Sequence, residues 1–501
     1  MGDQDQFPSS CGCGDDGGSE SQIVESTTNK IETGIDRISE LPDSLIVKIL
    51  SLVPLTDACR TPILSKRWQY LWTFIDNLIF DDSSGYNSRL YWWGDERFIL
   101  FVDNVLRLLR CSKIKKLCLH SGFKVGLSYG SKIDKWLEIA LKKKVEDVDL
   151  HVFYSFEGPY TLPQLLCSSS SILLLKCMLC KFSEDCVLNW TSLKSLTLGY
   201  LLLKDEIIEQ IMSNCPQLEY LKLRNFCGFN RLHITSPKCR RLQLIDHEHP
   251  HCGDWGSFET TCCFEIVAPY VQHLEISGNF IDAEVRLGDL SSVVHAELTF
   301  EIHERDAIAD KTIAKDLLLS VCSANELLTP SWIIEVISRL KKEDVSLPLL
   351  ECKQLTINSW ISKYSIIGIY RLLMSSPCLE NLTILPKNDC KYLWAINIDL
   401  MEDNYLSLQE NIFKCSLQNL KNAKVISNCC SCSSFADTTT IILEFLKFLL
   451  ERAINLEKLV VEQERRRCKS CNICSTINIS KMIENLLASP RASNTTLISL
   501  G

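Results

Sequence analysis

The sequence predicts an α/β protein in which a short helical block precedes a curved solenoid of parallel strands with flanking helices. Two observations carry this prediction. Residues 36–80 concentrate apolar side chains at helical spacing, and from residue 114 onward a short apolar pattern recurs along the chain. The chain has 501 residues, 46% of them hydrophobic and 23% charged, which is ordinary for a folded protein and long enough for several domains or a repeat array.

The first 35 residues contain no apolar segment that could form a core. The stretch SSCGCGDDGGSESQ is dominated by glycine, serine and acidic residues, and such a composition buries too little apolar surface to offset the entropy of ordering. We therefore expect residues 1–35 to form a disordered tail. The segment also lacks the basic start and apolar run of a secretory signal peptide.

Charge and cysteine content narrow the class of protein further. The net charge of −9 does not favour a nucleic-acid partner, because binding to phosphates needs a basic surface. No apolar run reaches the roughly 18 residues that a membrane span needs, so we expect no membrane association. The 26 cysteines, without a secretory signal, indicate reduced thiols in the nucleus or cytoplasm rather than disulfides.

The helical block opens with residues 41–55, LPDSLIVKILSLVPL, whose apolar residues follow one face of a helix. Pro42 suits the first helical turn, Asp43 suits its positive N-terminal end, and Pro54 ends the helix. A second helical pattern begins at Asp57 and extends to two tryptophans, four residues apart on one helical face. The apolar face of the first helix comprises Leu41, Leu45, Ile49 and Leu52, widened by Ile46, Leu50 and Val53. So few short helices do not build a self-sufficient core, and so wide an apolar stripe indicates a partner.

A further helix is predicted over residues 94–110, and after it the pattern L-x-x-L-x-L recurs, with Ile, Val, Cys or Ala substituting for Leu. Alternating apolar residues of this kind predict a short strand. Most early intervals between occurrences are close to the roughly 20 to 29 residues of a leucine-rich repeat. The pattern begins at Ile114, Val145, Ile172, Leu193, Leu218, Cys239, Val271, Val293, Cys352, Leu379, Leu420 and Leu456.

Amphipathic helical segments lie between these predicted strands, for example at residues 204–216 and 366–378, and each ends near a proline. Strand, turn, helix and turn in repetition give a solenoid with a parallel sheet. The longest interval, from Val293 to Cys352, is interpreted as a helical insertion or as degenerate repeats.

The N-terminal block, DRISELPDSLIVKILSLVPLTDACRTPILSKRWQYLW, resembles the F-box in the form that plants place before large leucine-rich-repeat regions. The match covers about a tenth of the chain, but it fixes many residue types at fixed spacing. The matching residues are Leu41, Pro42, Asp43, Leu45, Ile46, Ile49, Leu50, Leu52, Leu64, Ser65, Lys66, Arg67, Trp68, Leu71 and Trp72.

The C-terminal segments CSLQNLKNAKVIS, LEFLKFLLERAINLEKLVV and LLASPRASNTTLISL resemble the FBD region that closes many plant F-box and leucine-rich-repeat proteins. Their order is strand, helix, strand and a final segment around Pro490, Arg491, Ala492 and Ser493. After the disordered tail at 1–35 that the composition predicts, the resemblance implies a helical F-box at 36–80, a helical connector and an irregular leucine-rich-repeat solenoid at 81–412, and an FBD-like α/β cap at 413–501.

The resemblance implies a non-catalytic function. In this family the F-box docks on a Skp-type adaptor, which joins it to a cullin scaffold of a ubiquitin ligase, and the repeats bind the protein substrate. The residues implied in adaptor binding are Leu41, Pro42, Leu45, Ile46, Ile49, Leu50, Leu64, Lys66, Arg67, Trp68 and Trp72. Whether Trp68 faces the adaptor or the core of the F-box itself stays open.

One position departs from the family pattern. Pro62 stands where the family usually has a small polar residue, and a proline inside a helix costs about 3 kcal/mol. Either the second helix restarts with Pro62 in its first turn, or Pro62 strains the helix and weakens adaptor binding. In the second case we expect Pro62→Ser to raise stability or affinity.

Two clusters of potential metal ligands are nevertheless expected to bind none. The segment HEHPHC provides His247, His249, His251 and Cys252, followed by Cys262 and Cys263, but its spacing matches no zinc-finger pattern. The segment CKSCNIC provides Cys468, Cys471 and Cys474, with Cys429, Cys430 and Cys432 in an earlier loop. The sequence carries no phosphate-binding, zinc-protease, serine-hydrolase or dinucleotide-binding motif, so we predict neither an enzyme nor a cofactor.

Two rival functions remain at this point. One is a scaffolding leucine-rich-repeat protein with a degenerate F-box that no longer serves a ligase. The other is a receptor whose repeats bind a small ligand and a substrate together. Adaptor binding separates the first rival from a ligase subunit, and ligand-dependent capture of a substrate would support the second.

Overall fold

The computed structural model describes residues 38, 40–81, 94–121, 127–152, 158–247, 262–281, 283–302, 307–340, 346–359, 361–362, 365–386, 417–428, 438–464, 479–493 and 495–500. The chain divides into two units, residues 1–46 and residues 47–501. The predicted disordered tail lies outside the described residues. No helix among the described residues combines the length and the apolar composition needed to cross a bilayer.

Eleven α-helices are described, and two 3₁₀ helices follow the second of them. The α-helices are α1 Asp43–Leu50, α2 Leu55–Ala58, α3 Gly94–Leu108, α4 Leu127–Lys142, α5 Gln164–Cys167, α6 Asp205–Asn214, α7 Ala307–Ser320, α8 Ser331–Arg339, α9 Ile366–Met374, α10 Thr438–Arg452 and α11 Ile479–Leu487. The 3₁₀ helices are Thr61–Ile63 and Lys66–Phe74. The helix predicted over residues 94–110 is therefore confirmed as α3.

The second helical pattern differs from its prediction. It is not one α-helix from Asp57 to the tryptophans, but α2 followed by the two 3₁₀ helices. Two backbone features explain the interruptions. Pro62 cannot donate the hydrogen bond that would continue α2, and Ser65 is fully extended, with φ −163° and ψ 162°.

The strands form one large parallel sheet and two small ones. The strands are β1 Asn77–Asp81, β2 Lys116–Ser121, β3 Asp147–Val152, β4 Tyr160–Thr161, β5 Leu174–Met178, β6 Cys180–Lys181, β7 Ser195–Leu202, β8 Tyr220–Cys227, β9 Arg231–His233, β10 Arg241–His247, β11 Cys262–Val267, β12 His273–Asn279, β13 Ala283–Leu287, β14 His295–Glu301, β15 Glu326–Thr329, β16 Gln354–Asn358, β17 Asn381–Leu385, β18 Asn422–Asn428, β19 Lys458–Glu464 and β20 Leu497–Leu500. The large sheet has 15 strands in the order β1-β2-β3-β5-β7-β8-β10-β12-β14-β15-β16-β17-β18-β19-β20. The predicted leucine-rich-repeat solenoid is confirmed by this sheet.

Each of the twelve recurring patterns lies at the start of a strand of the large sheet. In every case the strand begins two residues after the first apolar residue, as with Ile114 before β2 and Leu456 before β19. The first, fourth and sixth residues of each pattern are buried. The fourth residues, together with Leu327 of β15, pair in register and form a continuous buried ladder: Leu117, Val148, Leu175, Leu196, Leu221, Leu242, Leu274, Ala296, Leu327, Leu355, Leu382, Ala423 and Leu459.

Three strands of the large sheet, β1, β15 and β20, have no counterpart among the twelve patterns. The long interval from Val293 to Cys352 contains β15, which belongs to a degenerate repeat. This repeat begins at Ala324 and has Thr329 at its sixth position. Ala324 divides the interval from Val293 to Cys352 into two parts of nearly equal length, each comparable to a neighbouring repeat. Strand β1 follows the N-terminal block directly, so the boundary predicted at residue 80 falls inside a strand of the sheet.

The segment that returns from one strand of the large sheet to the next is helical only where the repeat is long. Longer repeats, such as those from Leu193 to Leu218 and from Ala324 to Cys352, contain α6 and α8. Shorter repeats, such as those that begin at Leu218 and Val271, contain the short strands β9 and β13 instead. A seven-residue strand spans roughly 23 Å. A return segment of the same length needs about 15 residues if it is helical but only about seven if it is extended.

The short strands β13, β11 and β9 form a second parallel sheet, and aromatic rings fill the interior of this part of the solenoid. Phe226 contacts Phe229, Phe264 and Phe280 with ring centroids 5.6 to 6.3 Å apart. The ring of His247 stacks on Phe280 at 5.9 Å and is 3% exposed. Of the first cluster of potential ligands, which is expected to bind no metal, His247 is thus a core residue and Cys263 is exposed, while His249, His251 and Cys252 lie outside the described residues.

The C-terminal order of strand, helix, strand is present as β18, α10 and β19, followed by α11 and β20. The cysteine side chains described by the structure carry free thiols, and most of them are buried. Burial raises the pKa of the Cys239 thiol, for example, to about 11. The second cluster of potential ligands, at residues 468–474 with Cys429, Cys430 and Cys432, is also expected to bind no metal and lies outside the described residues.

Candidate functional site

The N-terminal block is shaped by its prolines. In the first unit, the N–H groups of Leu45 and Ile46 donate to the Pro42 carbonyl at 2.9 and 3.2 Å, so the first turn of α1 begins at this proline. In the second unit, Pro54 caps the N-terminus of α2 with φ −52° and ψ 137°, a conformation that ends any preceding helix. The carbonyl of Pro54 accepts from Asp57 and Ala58.

The structure divides the predicted adaptor-binding residues by exposure. In the first unit, Leu45 is 46% exposed, Pro42 is also exposed, Leu41 is half-buried and Ile46 is buried. In the second unit, four predicted residues are exposed: Ile49, Leu64, Lys66 and Arg67. Three others are buried: Leu50, Trp68 and Trp72.

The buried tryptophans belong to the interior of the second unit. Trp68 and Trp72 are 7% and 8% exposed, and Leu71 between them is 7% exposed. In a 3₁₀ helix, with three residues per turn, Trp68 and Leu71 share one face. The structure therefore places Trp68 in a core rather than on a docking surface.

Several large apolar side chains of the second unit are exposed close to these tryptophans in sequence. Leu52 is 81% exposed, Val53 41%, Ile63 89% and Leu64 66%. Val53 and Ile63 were not among the predicted adaptor-binding residues, and Leu52 was matched only as a family position. Their exposure follows from the turn after α1 and from the short 3₁₀ helix at Pro62, both of which turn side chains outward. Neither turn is encoded in the helical periodicity.

The end of the second 3₁₀ helix is joined to the first repeat. The backbone N–H of Arg110 donates to the Thr73 carbonyl at 2.8 Å, and the Arg110 guanidinium lies over the Tyr70 ring at 4.8 Å. Lys115 donates its backbone N–H to the Asp76 carbonyl at 2.8 Å, and its Nζ pairs with the Asp76 carboxylate at 2.7 Å. The tryptophan segment and the start of the sheet are thus held together by backbone bonds.

The large sheet presents a polar face, formed by the residues that alternate with the buried ladders. Basic residues are frequent on β8 and β10, where the face carries Lys222, Arg224 and Arg241. Acidic residues follow on β12, β14 and β15: Glu275, Glu297, Glu301 and Glu326. The face therefore changes sign along the solenoid, which is a basis for selecting a partner by charge.

Side chains on this polar face are linked from strand to strand. His273 stacks on His295 with centroids 4.3 Å apart, and His295 Nδ1 lies 2.8 Å from the Glu326 carboxylate. Burial and the neighbouring His295 lower the pKa of His273. Burial and the charge of Glu275 raise the pKa of Glu297. Such cross-strand pairs hold the polar side chains in fixed positions.

Comparison with known proteins agrees with this architecture. The F-box domain family matches residues 38–79. A second family, the LRR repeats of the FBD-associated F-box protein At5g56370, matches residues 133–286. The chain carries an F-box followed by leucine-rich repeats of the FBD-associated type.

Curated relatives carry the F-box in their names, and two of the three described here also carry the leucine-rich repeat. The putative F-box protein At1g49610 of Arabidopsis thaliana is 29% identical over 383 residues, which are 75% of this chain and 90% of the relative. The putative F-box/LRR-repeat protein At5g02930 of the same plant is 27% identical over 453 residues, or 86% and 88% of the two chains. The F-box/LRR-repeat protein At3g03360, also from Arabidopsis thaliana, is 29% identical over 372 residues, 70% of each chain.

Proposed function

We propose that this F-box protein is the substrate-recognition subunit of a Skp-cullin-F-box type ubiquitin ligase and catalyses no step itself. The F-box binds a Skp-type adaptor, the adaptor connects it to a cullin scaffold, and the repeats hold a protein substrate. The matches to the F-box and to the repeat family support both halves of this proposal.

One observation carries the proposal: large apolar side chains are exposed in the F-box segment of the second unit. Leu52, Ile63 and Leu64 each leave about two thirds or more of their surface in solvent. Exposing apolar side chains is unfavourable unless a partner covers them, and apolar surface with a polar rim is typical of protein interfaces. The exposed cations Lys66 and Arg67 follow Leu64 closely in sequence and provide such a rim.

The repeats support the second half of the proposal. Their polar face is continuous over the registered strands and its charged side chains are positioned by cross-strand pairs such as His295 and Glu326. Recognition by a preformed surface of this kind costs little side-chain entropy on binding. We propose a nuclear or cytoplasmic location, which the free and largely buried thiols of the described cysteines support.

The test is binding of the purified full-length protein to a purified Skp-type adaptor. Ile63→Asp and Leu64→Asp place a charge where the proposal requires apolar contact, and each is expected to weaken binding by roughly 30- to 1,000-fold, as at an interface hot spot. Leu319→Asp is the matched control, because Leu319 is 60% exposed but lies on α7 of the repeats.

If the protein is a ligase subunit, wild type and Leu319→Asp bind the adaptor, and Ile63→Asp and Leu64→Asp each lose that binding. A wild-type protein that does not bind any Skp-type adaptor would overturn the proposal and favour a scaffold with a degenerate F-box. Capture of a substrate only in the presence of a small ligand would point instead to a receptor.

A further inference from the structure

Two neighbouring strands at the start of the large sheet bring a cysteine, a histidine and an aspartate together. Cys118 and His120 lie two residues apart on β2, so their side chains extend from the same face. Asp149 of β3 is the register partner of Cys118. One potential ligand atom of each residue lies within 4.8 Å of the other two.

Burial distinguishes this cluster from the charged pairs of the surface. Cys118 is 4% exposed, and the side chains of His120 and Asp149 are 22% and 13% exposed. His120 Nε2 and Asp149 Oδ1 lie 3.1 Å apart and form an ion pair, but the angle between them is unfavourable for a hydrogen bond, and neither atom has another hydrogen-bond partner among the residues that the structure describes. Buried polar atoms normally have such a partner, so two that converge without one leave room for a bound cation.

We propose that Cys118, His120 and Asp149 bind one Zn²⁺ ion, with water as the fourth ligand. A thiolate, an imidazole nitrogen and a carboxylate oxygen are the three side-chain ligands that zinc takes, and three protein ligands plus water is a common zinc arrangement. Zinc–ligand bonds of about 2.0 to 2.3 Å place tetrahedral ligand atoms roughly 3.3 to 3.6 Å apart. A small side-chain adjustment therefore closes the cluster around an ion.

The surroundings of the cluster suit this assignment. Lys176 Nζ lies 3.2 Å from Asp149 Oδ2, which holds the carboxylate with its other oxygen toward His120. Outer partners of this kind orient metal ligands. The positive charge of Lys176 opposes a cation, but thiolate and carboxylate together supply two negative charges. The His151 ring lies edge-to-face against His120 at 5.7 Å and limits its rotation.

The proposed site is separate from both clusters that the sequence suggested and rejected, at residues 247–252 and 468–474. Those clusters are contiguous in sequence, whereas this one combines residues of two successive repeats through the register of β2 and β3. The ion would join β2 and β3, the first two strands that follow α3, and β2 pairs on its other side with β1.

The experiment is zinc titration of chelator-washed full-length protein against a chromophoric chelator, with Co²⁺ as a spectroscopic substitute. Wild type is expected to bind one equivalent of metal that Cys118→Ser, His120→Ala and Asp149→Asn each lose or bind at least about 100-fold more weakly, since changes even to outer partners cost about ten- to 100-fold. The thiolate-to-cobalt charge-transfer band should disappear in Cys118→Ser. The readout is a difference of one equivalent, because other cysteines of the chain can also take up zinc.

Asp147→Asn is the matched control, because Asp147 lies two residues from Asp149 on the same face of β3 and is also paired with a lysine, Lys116, at 3.0 Å. This variant is expected to keep the metal. Zinc should raise the melting temperature of wild type and of Asp147→Asn but not of His120→Ala. Equal stoichiometry and affinity in wild type, His120→Ala and Asp149→Asn would overturn the proposal, as would loss of the metal from Asp147→Asn. If Asp149→Asn does not fold, as judged by circular dichroism, His120→Gln replaces it.

Discussion

The Thr61 hydroxyl donates a hydrogen bond to the Ala58 carbonyl at 2.7 Å, and this contact compensates for the proline that follows. In a continuing helix the N–H of residue 62 would reach that carbonyl, but Pro62 has no N–H. Pro62 lies instead in the first turn of the 3₁₀ helix Thr61–Ile63, where no such donor is required. Of the two outcomes that the sequence allowed, the helix restarts at Pro62.

The first prediction follows from this compensation. Thr61→Val keeps the shape of the side chain but removes the hydroxyl, and we expect it to lower the free energy of unfolding by about 1 kcal/mol. Pro62→Ser should change it by less than about 0.5 kcal/mol, because Pro62 is not strained. Urea denaturation measures both, with Thr56→Val on the exposed side of α2 as the control. A marked gain in stability from Pro62→Ser would show that the proline is strained after all.

The second prediction concerns Trp68, which is 7% exposed. Truncation of a buried tryptophan to alanine removes its packing and leaves a cavity, so Trp68→Ala should cost about 3 to 5 kcal/mol of stability. Leu64→Ala, at a side chain 66% exposed, should cost little stability while weakening adaptor binding. Hydrogen-exchange protection of the F-box amides separates the two effects. Unchanged protection in Trp68→Ala, together with lost adaptor binding, would mean that Trp68 acts directly at the interface.

The strands of the repeats could be predicted from the sequence because the apolar pattern L-x-x-L-x-L reflects burial of the same three positions in every repeat. The first, fourth and sixth residues of each pattern enter the same core, so leaving any of them polar is costly, and the pattern stays visible. Where a small or polar residue occupies such a position, the signal fades, as with Ala324 and Thr329 of the degenerate repeat. Thr329 is fully buried, so β15 still forms although a polar residue at this position interrupts the apolar pattern.

The return segments and the candidate site could be predicted less well. A return segment can be a helix, as with α6, or a short strand, as with β11 in the long repeat that begins at Cys239, and periodicity within the segment does not report which of the two forms. In the F-box, helical spacing placed the exposed Leu45 and Ile49 in one wide apolar stripe with the buried Ile46 and Leu50, because periodicity alone does not report which part of a wide stripe is covered. The cluster of Cys118, His120 and Asp149 depends on the pairing of β2 with β3, which no local pattern specifies.

The third prediction uses two glycines in helices. A Cβ atom on Gly368 of α9 would lie 2.2 Å from the Ile334 carbonyl oxygen of α8, and 2.6 Å from Ser338 Oγ, which accepts from the Gly368 N–H. Since the nearest obstacle is backbone, the two helices must separate, and Gly368→Ala should cost roughly 1 to 3 kcal/mol or more.

Gly130 of α4 is the matched control for Gly368. A Cβ atom there would lie 3.7 Å from the Tyr160 ring, an ordinary contact, so Gly130→Ala should stabilise the protein by up to about 1 kcal/mol through helix propensity. Thermal unfolding of the two variants is expected to shift in opposite directions. Shifts of the same sign would show that the close approach of α8 and α9 relaxes without cost.

The last prediction is a pH dependence that originates at Asp103 of α3. Its carboxylate accepts from Trp136 Nε1 at 2.7 Å and from Lys132 Nζ at 2.6 Å, both on α4. Burial alone would raise the pKa of Asp103, but the hydrogen bonds from Lys132 and Trp136 and the charge of Lys132 outweigh burial and lower it. An acid whose pKa is lower in the folded state stabilises the fold fully above its unfolded pKa of about 3.9, and this stabilisation is lost as the pH falls through the lower folded value.

The stability difference between wild type and Asp103→Asn should therefore be largest near neutral pH and shrink in acid. Denaturant unfolding from about pH 7 to about pH 3 measures it, with Glu209→Gln on the exposed side of α6 as the control. A difference that does not change over this range would mean that the contact acts through packing and hydrogen bonding alone, without the carboxylate charge.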